Sequence, residues 1–368
     1  MSGGLPTLED VARVAGVSRA TVSRVINGTR NVDRQLQEIV RDAVAKTGYV
    51  PNRAARSLVT RRTGTVALVV SGAGARGSTE NGPDNGTDNG PDNGTGDSDA
   101  GPDGGYAGHL FTDPFFGRVV AGVVGFLRTR GVHPVLILAD TDRARSDAVA
   151  FLRQGNADGA LLVSIHADDP LPAMLTAVGV PAVLFARPTR PLPISYVDLA
   201  HHTGGRLAAD RLVARGCQQV VAIAGPLDVP AGLDRLTGFR DGMARHGHPY
   251  VPMAEGSFTQ ETGEAAMARL LDEHPTLDGV FAANDLMAQG ALVVLHENGR
   301  RVPDDVAVIG FDDSAPALAS RPQLTTVRQP VEDMAAEMAR LLLARIEQPA
   351  QRPTSVIFEP TLVIRGSA

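Results

Sequence analysis

At 368 residues and 43% hydrophobic content, the chain can supply a small module and two medium domains with buried cores. One cysteine, Cys217, excludes an internal disulfide and a thiolate zinc site and reads as a buried apolar residue, while no apolar run reaches the roughly 18 residues of a membrane span. The net charge of −6 is unevenly spread: Met1 to Arg62 holds eleven basic against five acidic residues, a balance of +6 that leaves −12 for the body. A basic head on an acidic body points to a polyanion at one end only.

In chain order, Thr7 with Asp10 reads as a capping box for a first helix with Leu8, Val11, Ala12 and Val14 on its apolar face. Gly16 breaks it, Ser18 caps a second helix from Arg19 to Ile26, and Asn27-Gly28 ends that one. A third helix starts at Asp33, carries Leu36, Ile39, Val40, Ala43 and Val44, and stops at Gly48. Three short helices with a tight Gly turn between the first two predict a helix-turn-helix head. Pro51 then forces an extended link, and Asn52 can cap a helix over 53–59, far below the roughly 12–15 residues at which isolated helices hold together.

From Thr63 the pattern changes. Short apolar runs at 66–70, 135–138, 159–163, 182–185, 220–224, 279–282 and 306–309 alternate with amphipathic stretches at 116–130, 204–215, 236–247 and 286–298. Strands buried on both faces alternating with helices predict parallel, doubly wound α/β sheets. About 300 residues exceed one such sheet, so two lobes with a ligand cleft at the carboxyl ends of their strands are expected. Ser71 to Gly108, containing NGPDNGTDNGPDNGTGDSD, has almost no apolar residue and predicts a disordered acidic insert. Weak cation binding is its alternative, though no Glu closes a calcium loop.

The run TLEDVARVAGVSRATVSRVING, followed by TGYVPNRAARSLVTRRTGTVALVV, resembles the head and hinge of the LacI/GalR family of transcriptional regulators. The resemblance covers nearly everything outside the insert. It implies a helix-turn-helix head over 1–50 and a hinge over 51–62. The core it implies is two-lobed, like a periplasmic binding protein: 63–195 with 328–357 form the first lobe, including the insert at 71–108, and 196–327 with 358–368 form the second.

An exposed recognition-helix face would present Arg19, Ala20 and Arg24 to base edges, each arginine forking onto guanine O6 and N7. Thr7, Ser18, Thr21, Ser23 and Asn27 are placed to bind phosphates. By resemblance Asn52, Arg53, Ala55 and Leu58 contact DNA in the hinge, with Leu58 wedged into the minor groove at a central CG step of a palindromic operator bound by a homodimer. Arg53, Arg56, Arg61 and Arg62 can neutralise phosphates nearby. The bland alternatives are a solvated surface charge for Arg19 or Arg24 and a linker anchor for Leu58.

Asp113-Pro114-Phe115-Phe116 reads as a helix start, with Asp as cap and Pro at the first position. Its two rings would face a cleft where they stack on the apolar side of a sugar, and the resemblance implies that Phe258 stands on the opposite lobe; core packing is the alternative for each ring. Arg235, Asn284 and Asp312, with Gln329 at the crossover and Arg187 after a strand, complete the effector contacts that the resemblance implies. Asp285 and Asp313 read as helix caps, and His166 as a surface-loop histidine, with a place near the cleft as its alternative. Ala200-His201 departs from the family pattern, so the resemblance carries no contact there, and His201-His202 makes no metal pair because neighbouring side chains diverge. VTRRTGTVALVV, SIHADDPLPAML, ISYVDL and AIAGPLDVPAGLDRLTGFRDGM are similar to actinobacterial regulators that respond to cellobiose or related glucosides.

A GxSxG elbow, a Walker loop and a dinucleotide turn at the first strand are all missing, and GAGARG at 72–77 lacks a following helix, so neither an enzyme nor a cofactor is expected. A transport binding protein would need a signal peptide, which MSGGLPTLED is not, and would not carry the basic head. The expectation is a cytoplasmic sugar-responsive repressor, with no metal and no membrane partner.

Overall fold

The computed structural model describes residues 6–26, 32–50, 62–72, 112–164 and 168–368. Asn27, the hinge with Asn52, Arg53, Ala55 and Leu58, His166 and all of the insert beyond Gly72 lie outside the described residues. The chain divides into two units, one running to Thr65 together with Gly155–Asp158, the other holding the remainder.

The first unit is built on α1 (Leu8–Ala15), α2 (Arg19–Ile26) and α3 (Arg34–Thr47). The Thr7–Asp10 capping box forms on both sides, Ser18 Oγ accepts from the Thr21 amide at 3.1 Å, and Asp33 caps α3. Gly16 and Gly48 end α1 and α3 in the left-handed region, where a Cβ would be strained. Val11, Val22, Val40 and Ala43 form a small buried centre, with Leu8, Ala12, Val25, Ile26 and Val44 around it.

The second unit carries two six-stranded sheets. The first lobe orders its strands β11-β5-β4-β3-β1-β2 and the second β12-β10-β9-β8-β6-β7. In sequence these are β1 (Thr65–Ser71), α4 (Pro114–Arg128), β2 (His133–Ala139), α5 (Asp142–Arg153), β3 (Ala160–Ser164), α6 (Leu171–Ala177), β4 (Ala182–Phe185) and β5 (Ser195–Leu199). There follow α7 (His201–Ala214), β6 (Val220–Ala224), α8 (Pro230–Arg245), β7 (Met253–Glu255), α9 (Gln260–Glu273), β8 (Gly279–Ala282), α10 (Asp285–Glu297), β9 (Ala307–Asp312) and α11 (Ala315–Ala319). The chain closes with β10 (Thr325–Arg328), α12 (Val331–Glu347), β11 (Ser355–Phe358) and β12 (Thr361–Val363). The pairs β1–β3, β3–β4, β4–β5, β5–β11, β6–β7, β6–β8, β8–β9 and β9–β10 are parallel and β10–β12 is antiparallel. In each lobe the strand order reverses beside the first core strand, the switch point at which doubly wound sheets open a crevice.

Strand pairing shifts the expected boundaries by a few residues. β5 lies wholly in the first sheet, with Leu199 opposite Phe358, so the chain first crosses after Leu199 rather than at 195/196. It returns after Arg328, which still pairs with Asp312, and crosses again after Phe358. The Ala200 amide donates to the Phe358 carbonyl at 2.9 Å and Arg328 faces Thr361, so the three crossings lie side by side. Ser71 likewise belongs to β1 and not to the insert, its buried hydroxyl donating to the Ala139 carbonyl.

Helices α7 and α8 pack backbone on backbone. A Cβ on Gly205 would collide with the Arg235 carbonyl and one on Gly238 with the His202 carbonyl, so only glycine permits this approach. Beneath them Phe239 and Phe281 stack with ring centroids 4.5 Å apart. The helices carry His201 and Arg235 to the lobe interface.

Cys217 is buried, its Sγ 3.4 Å from the Asp278 carbonyl oxygen, and burial pushes the thiol up to about 11.

Candidate functional site

In the head, Arg19, Ala20 and Arg24 are exposed along α2, whereas Val22 between them is buried. The 3.6-residue period therefore turns this face outward while Val22 anchors the helix. Arg19 forms an ion pair with Glu9 of α1 at 2.9 Å. Thr7 and Thr21 spend their hydroxyls on local bonds, to Asp10 at 2.7 Å and to Ser18 at 2.9 Å, and Ser23 is half-buried with a partner of its own.

Between the lobes a cavity of about 1190 Å³ opens at the carboxyl ends of the strands. All eight side chains expected at an effector site line it. From the first lobe come Phe115, Phe116 and Arg187; from the second Arg235, Phe258, Asn284 and Asp312; and Gln329 stands at the crossover. Asp113 caps α4 through the Phe115 amide at 2.9 Å, with Pro114 at the first helical position. Phe115 meets both Phe116 and Phe185 edge to face, with centroids 5.3 Å apart. Such rings offer an apolar wall to one face of a ligand.

Arg235 is the polar centre. Its Nη1 donates to the Ala283 carbonyl at 2.6 Å, Nη2 to Gln329 Oε1 at 2.9 Å, and Nε to His201 Nδ1 at 3.3 Å. Its Nη1 is also 3.4 Å from Asp312 Oδ1, and the guanidinium lies 3.9 Å over the Phe311 ring. Burial pushes the Arg235 pKa down, against the pull of Asp312, Asp285, Asp198 and Asp113. Burial pushes the Asp312 and Asp285 carboxyls up, and Asp113 with them. His201 is pushed down by burial and stays neutral; accepting at Nδ1 leaves its proton on Nε2, 3.5 Å from Asp198 Oδ1.

Asn284 is the cap of α10, its Oδ1 accepting from the Met287 amide at 2.9 Å while Nδ2 donates to the Phe258 carbonyl at 2.8 Å. One amide hydrogen and one lone pair remain for a ligand. The Phe258 ring packs over Gly225, where a Cβ would collide with it. Arg187 forms an ion pair with Asp234 at 2.6 Å, first lobe to second, across the cleft mouth. Ala186, Phe258, Asp312 and Asp313 are the described non-glycine residues with positive φ, and the first three line the cavity. Left-handed backbone costs energy and concentrates where the surrounding structure must aim side chains at a ligand.

Two expectations are corrected. Asp285 does not cap α10, because Asn284 already does; it is fully buried and accepts from the Ser314 amide and hydroxyl and from Thr326 Oγ1 at 2.6–2.9 Å. Asp313 is not a cap either. Burial works against its charge, yet bonds from Arg365 at 2.5 Å and Arg328 at 2.7 Å hold its carboxyl below the usual range. Sequence reasoning missed His201, Asp198 and Phe185 as cavity-lining residues. A signal existed for the first two: a strand end followed directly by a helix start, where cleft residues gather. His202 turns away to Asp241 at 2.8 Å, so the two histidines diverge.

Comparison with known proteins shows the family. Residues 7–52 match the family of bacterial regulatory proteins of the lacI type, and residues 209–368 match a periplasmic binding protein-like domain. The HTH-type transcriptional regulator CelR of Thermobifida fusca is 44% identical over 367 residues, covering 98% of each chain. The chain belongs to the LacI family. Among solved structures, a CelR–cellobiose complex aligns with the regulator at a TM-score of 0.71 and 41% identity, over 99% of this chain and 100% of that one. A lac repressor dimer bound to operator and the anti-inducer ONPF aligns at 0.78 and 26% identity, over 99% of each chain. The regulator is thus a DNA-binding transcription factor and not an enzyme, and no described helix is long and apolar enough to cross a membrane.

Proposed function

We propose that the regulator is a cytoplasmic, homodimeric repressor of carbohydrate-utilisation genes, bound to a palindromic operator through Arg19, Ala20 and Arg24 and released by cellobiose or a related glucoside. The observation that carries this reading is one cavity with aromatic rings on both lobes and a buried Arg235–Asp312–Gln329 cluster between them. A saccharide presents apolar ring faces and in-plane hydroxyls, and that pairing of rings with planar donors and acceptors answers both. The similarity to the CelR–cellobiose complex supports the sugar class. A second copy of the chain has a place to dock: β2 is an edge strand, and Val135 and Leu136 on it, with Val124 on α4, are exposed apolar residues.

Release requires that sugar bind one arrangement of the lobes more tightly than the other. An operator duplex selected from a random library with the regulator and carrying a fluorophore is expected to lose bound protein as cellobiose is titrated in. Retention of the operator at saturating concentrations of every glucoside tried would remove the inducer assignment.

Arg19→Ala is expected to cost about 1–3 kcal/mol on the selected operator and to relax guanine preference at one half-site position. Binding to scrambled duplex should change far less. Equal losses on both duplexes would refute base reading by Arg19.

A further inference from the structure

Arg118 sits on the second turn of α4 in the first lobe and lies outside the large cavity. Its side chain is 19% exposed, and its guanidinium reaches three different segments. Nε and Nη2 donate to the two carboxylate oxygens of Glu332, at the start of α12, at 2.7 and 2.8 Å. Nη1 donates to the Asp312 carbonyl and Nη2 also to the Gln329 carbonyl, each at 2.9 Å. Four of the five N–H bonds of a guanidinium are so committed.

The two carbonyls have a particular position. They belong to Asp312 and Gln329, whose side chains line the cavity and both meet Arg235. Asp312 ends β9 in the second lobe with φ at +109°, and Gln329 is the crossover residue after β10. Each is thus held twice, by its side chain toward the ligand space and by its main chain toward the first lobe. The Gln329 carbonyl also accepts from the Val331 amide at 2.9 Å, the first residue of α12. Helix α12 in turn packs so closely on α4 that a Cβ on Gly122 would strike the Glu332 backbone. Any rotation of the Asp312 or Gln329 peptide must therefore drag Arg118 or break a charge-assisted bond, and α4 and α12 move together.

We propose that Arg118 is the positioning residue that couples sugar occupancy of the cleft to the first lobe, by gripping the main-chain carbonyls of Asp312 and Gln329. The inference rests on the reading of the regulator as a sugar-released repressor. A contiguous set of hydrogen bonds and packed side chains between two sites can carry such coupling. A lysine could reach one carbonyl but could not span the fork of Glu332 and both carbonyls at once.

The test uses full-length regulator with Arg118→Met, Arg118→Lys and Glu332→Gln. Calorimetry gives the cellobiose Kd of the DNA-free protein, and anisotropy gives operator affinity with and without saturating cellobiose. The expected result for Arg118→Met is a cellobiose Kd within about threefold of wild type, while the sugar-induced drop in operator affinity shrinks roughly tenfold toward no effect, the scale of an ordinary allosteric coupling. Arg118→Lys and Glu332→Gln should retain intermediate coupling. Should Arg118→Met prove too unstable to assay, the other two decide. Full wild-type release in any folded Arg118 variant overturns the inference, as does a parallel loss of sugar binding and release. Wild-type protein that keeps its operator in saturating cellobiose overturns the repressor reading itself, and this inference with it.

Discussion

Arg235→Met is expected to abolish the response to sugar and to lower the free energy of unfolding by about 3–5 kcal/mol, while the folded fraction still binds operator. Arg235 is 6% exposed and donates to the Ala283 carbonyl, Gln329 Oε1 and His201 Nδ1, with Asp312 as its ion-pair partner. Methionine fills much of the volume and restores none of the donors. Asp312, whose carboxyl burial already pushes up, would lose its compensating charge with Asp113 and Asp285 still close enough to oppose it. Breaking one half of a buried pair is far costlier than removing both halves. The double variant Arg235→Met/Asp312→Leu should therefore recover part of the stability in urea titration, the Ala283 carbonyl, Gln329 and His201 staying without their donor, and none of the sugar binding. A single variant within about 1 kcal/mol of wild type that still releases DNA would refute the central role given to Arg235.

The second large effect is expected from Gly238→Ala. One methyl group at the α7–α8 crossing meets the His202 carbonyl, which is backbone and cannot rotate aside. The helices must separate, at a cost of about 1–3 kcal/mol or more for overpacking. Because α8 bears Arg235 and α7 bears His201, the same separation should weaken sugar binding without touching any sugar contact. Gly125→Ala is the control. It lies on α4 with no atom of the described residues within 4 Å of the added Cβ, so it should be neutral or slightly stabilising through helix propensity. Equal melting temperatures for the two variants would contradict the close packing.

How much of this was legible in the residues differs by kind of interaction. Caps and breaks are local, so Thr7, Asp33, Gly48 and Asp113 could be assigned from neighbours within a few positions. Strands buried on both faces announce themselves as apolar runs, and strand ends in a doubly wound sheet point to the cleft. That logic, with the family resemblance, brought eight expected side chains to one cavity. What stayed hidden is non-local. Asp285 looks like a helix cap until Ser314 and Thr326, 29 and 41 positions away, are seen to donate to it. His201 gave no family signal, and its place depends on Arg235 arriving from α8. Arg118 reads as an ordinary helix-surface charge because its acceptors lie about two hundred positions downstream.

The side-by-side run of the crossings after Leu199, Arg328 and Phe358 limits what a bound sugar can do mechanically. Three short tethers set side by side are expected to favour a swing of one lobe on the other about the line of that row. A sugar held at Asp312 and Gln329 is then expected to act by such a swing, with the largest displacement at the edges of the lobes farthest from that line.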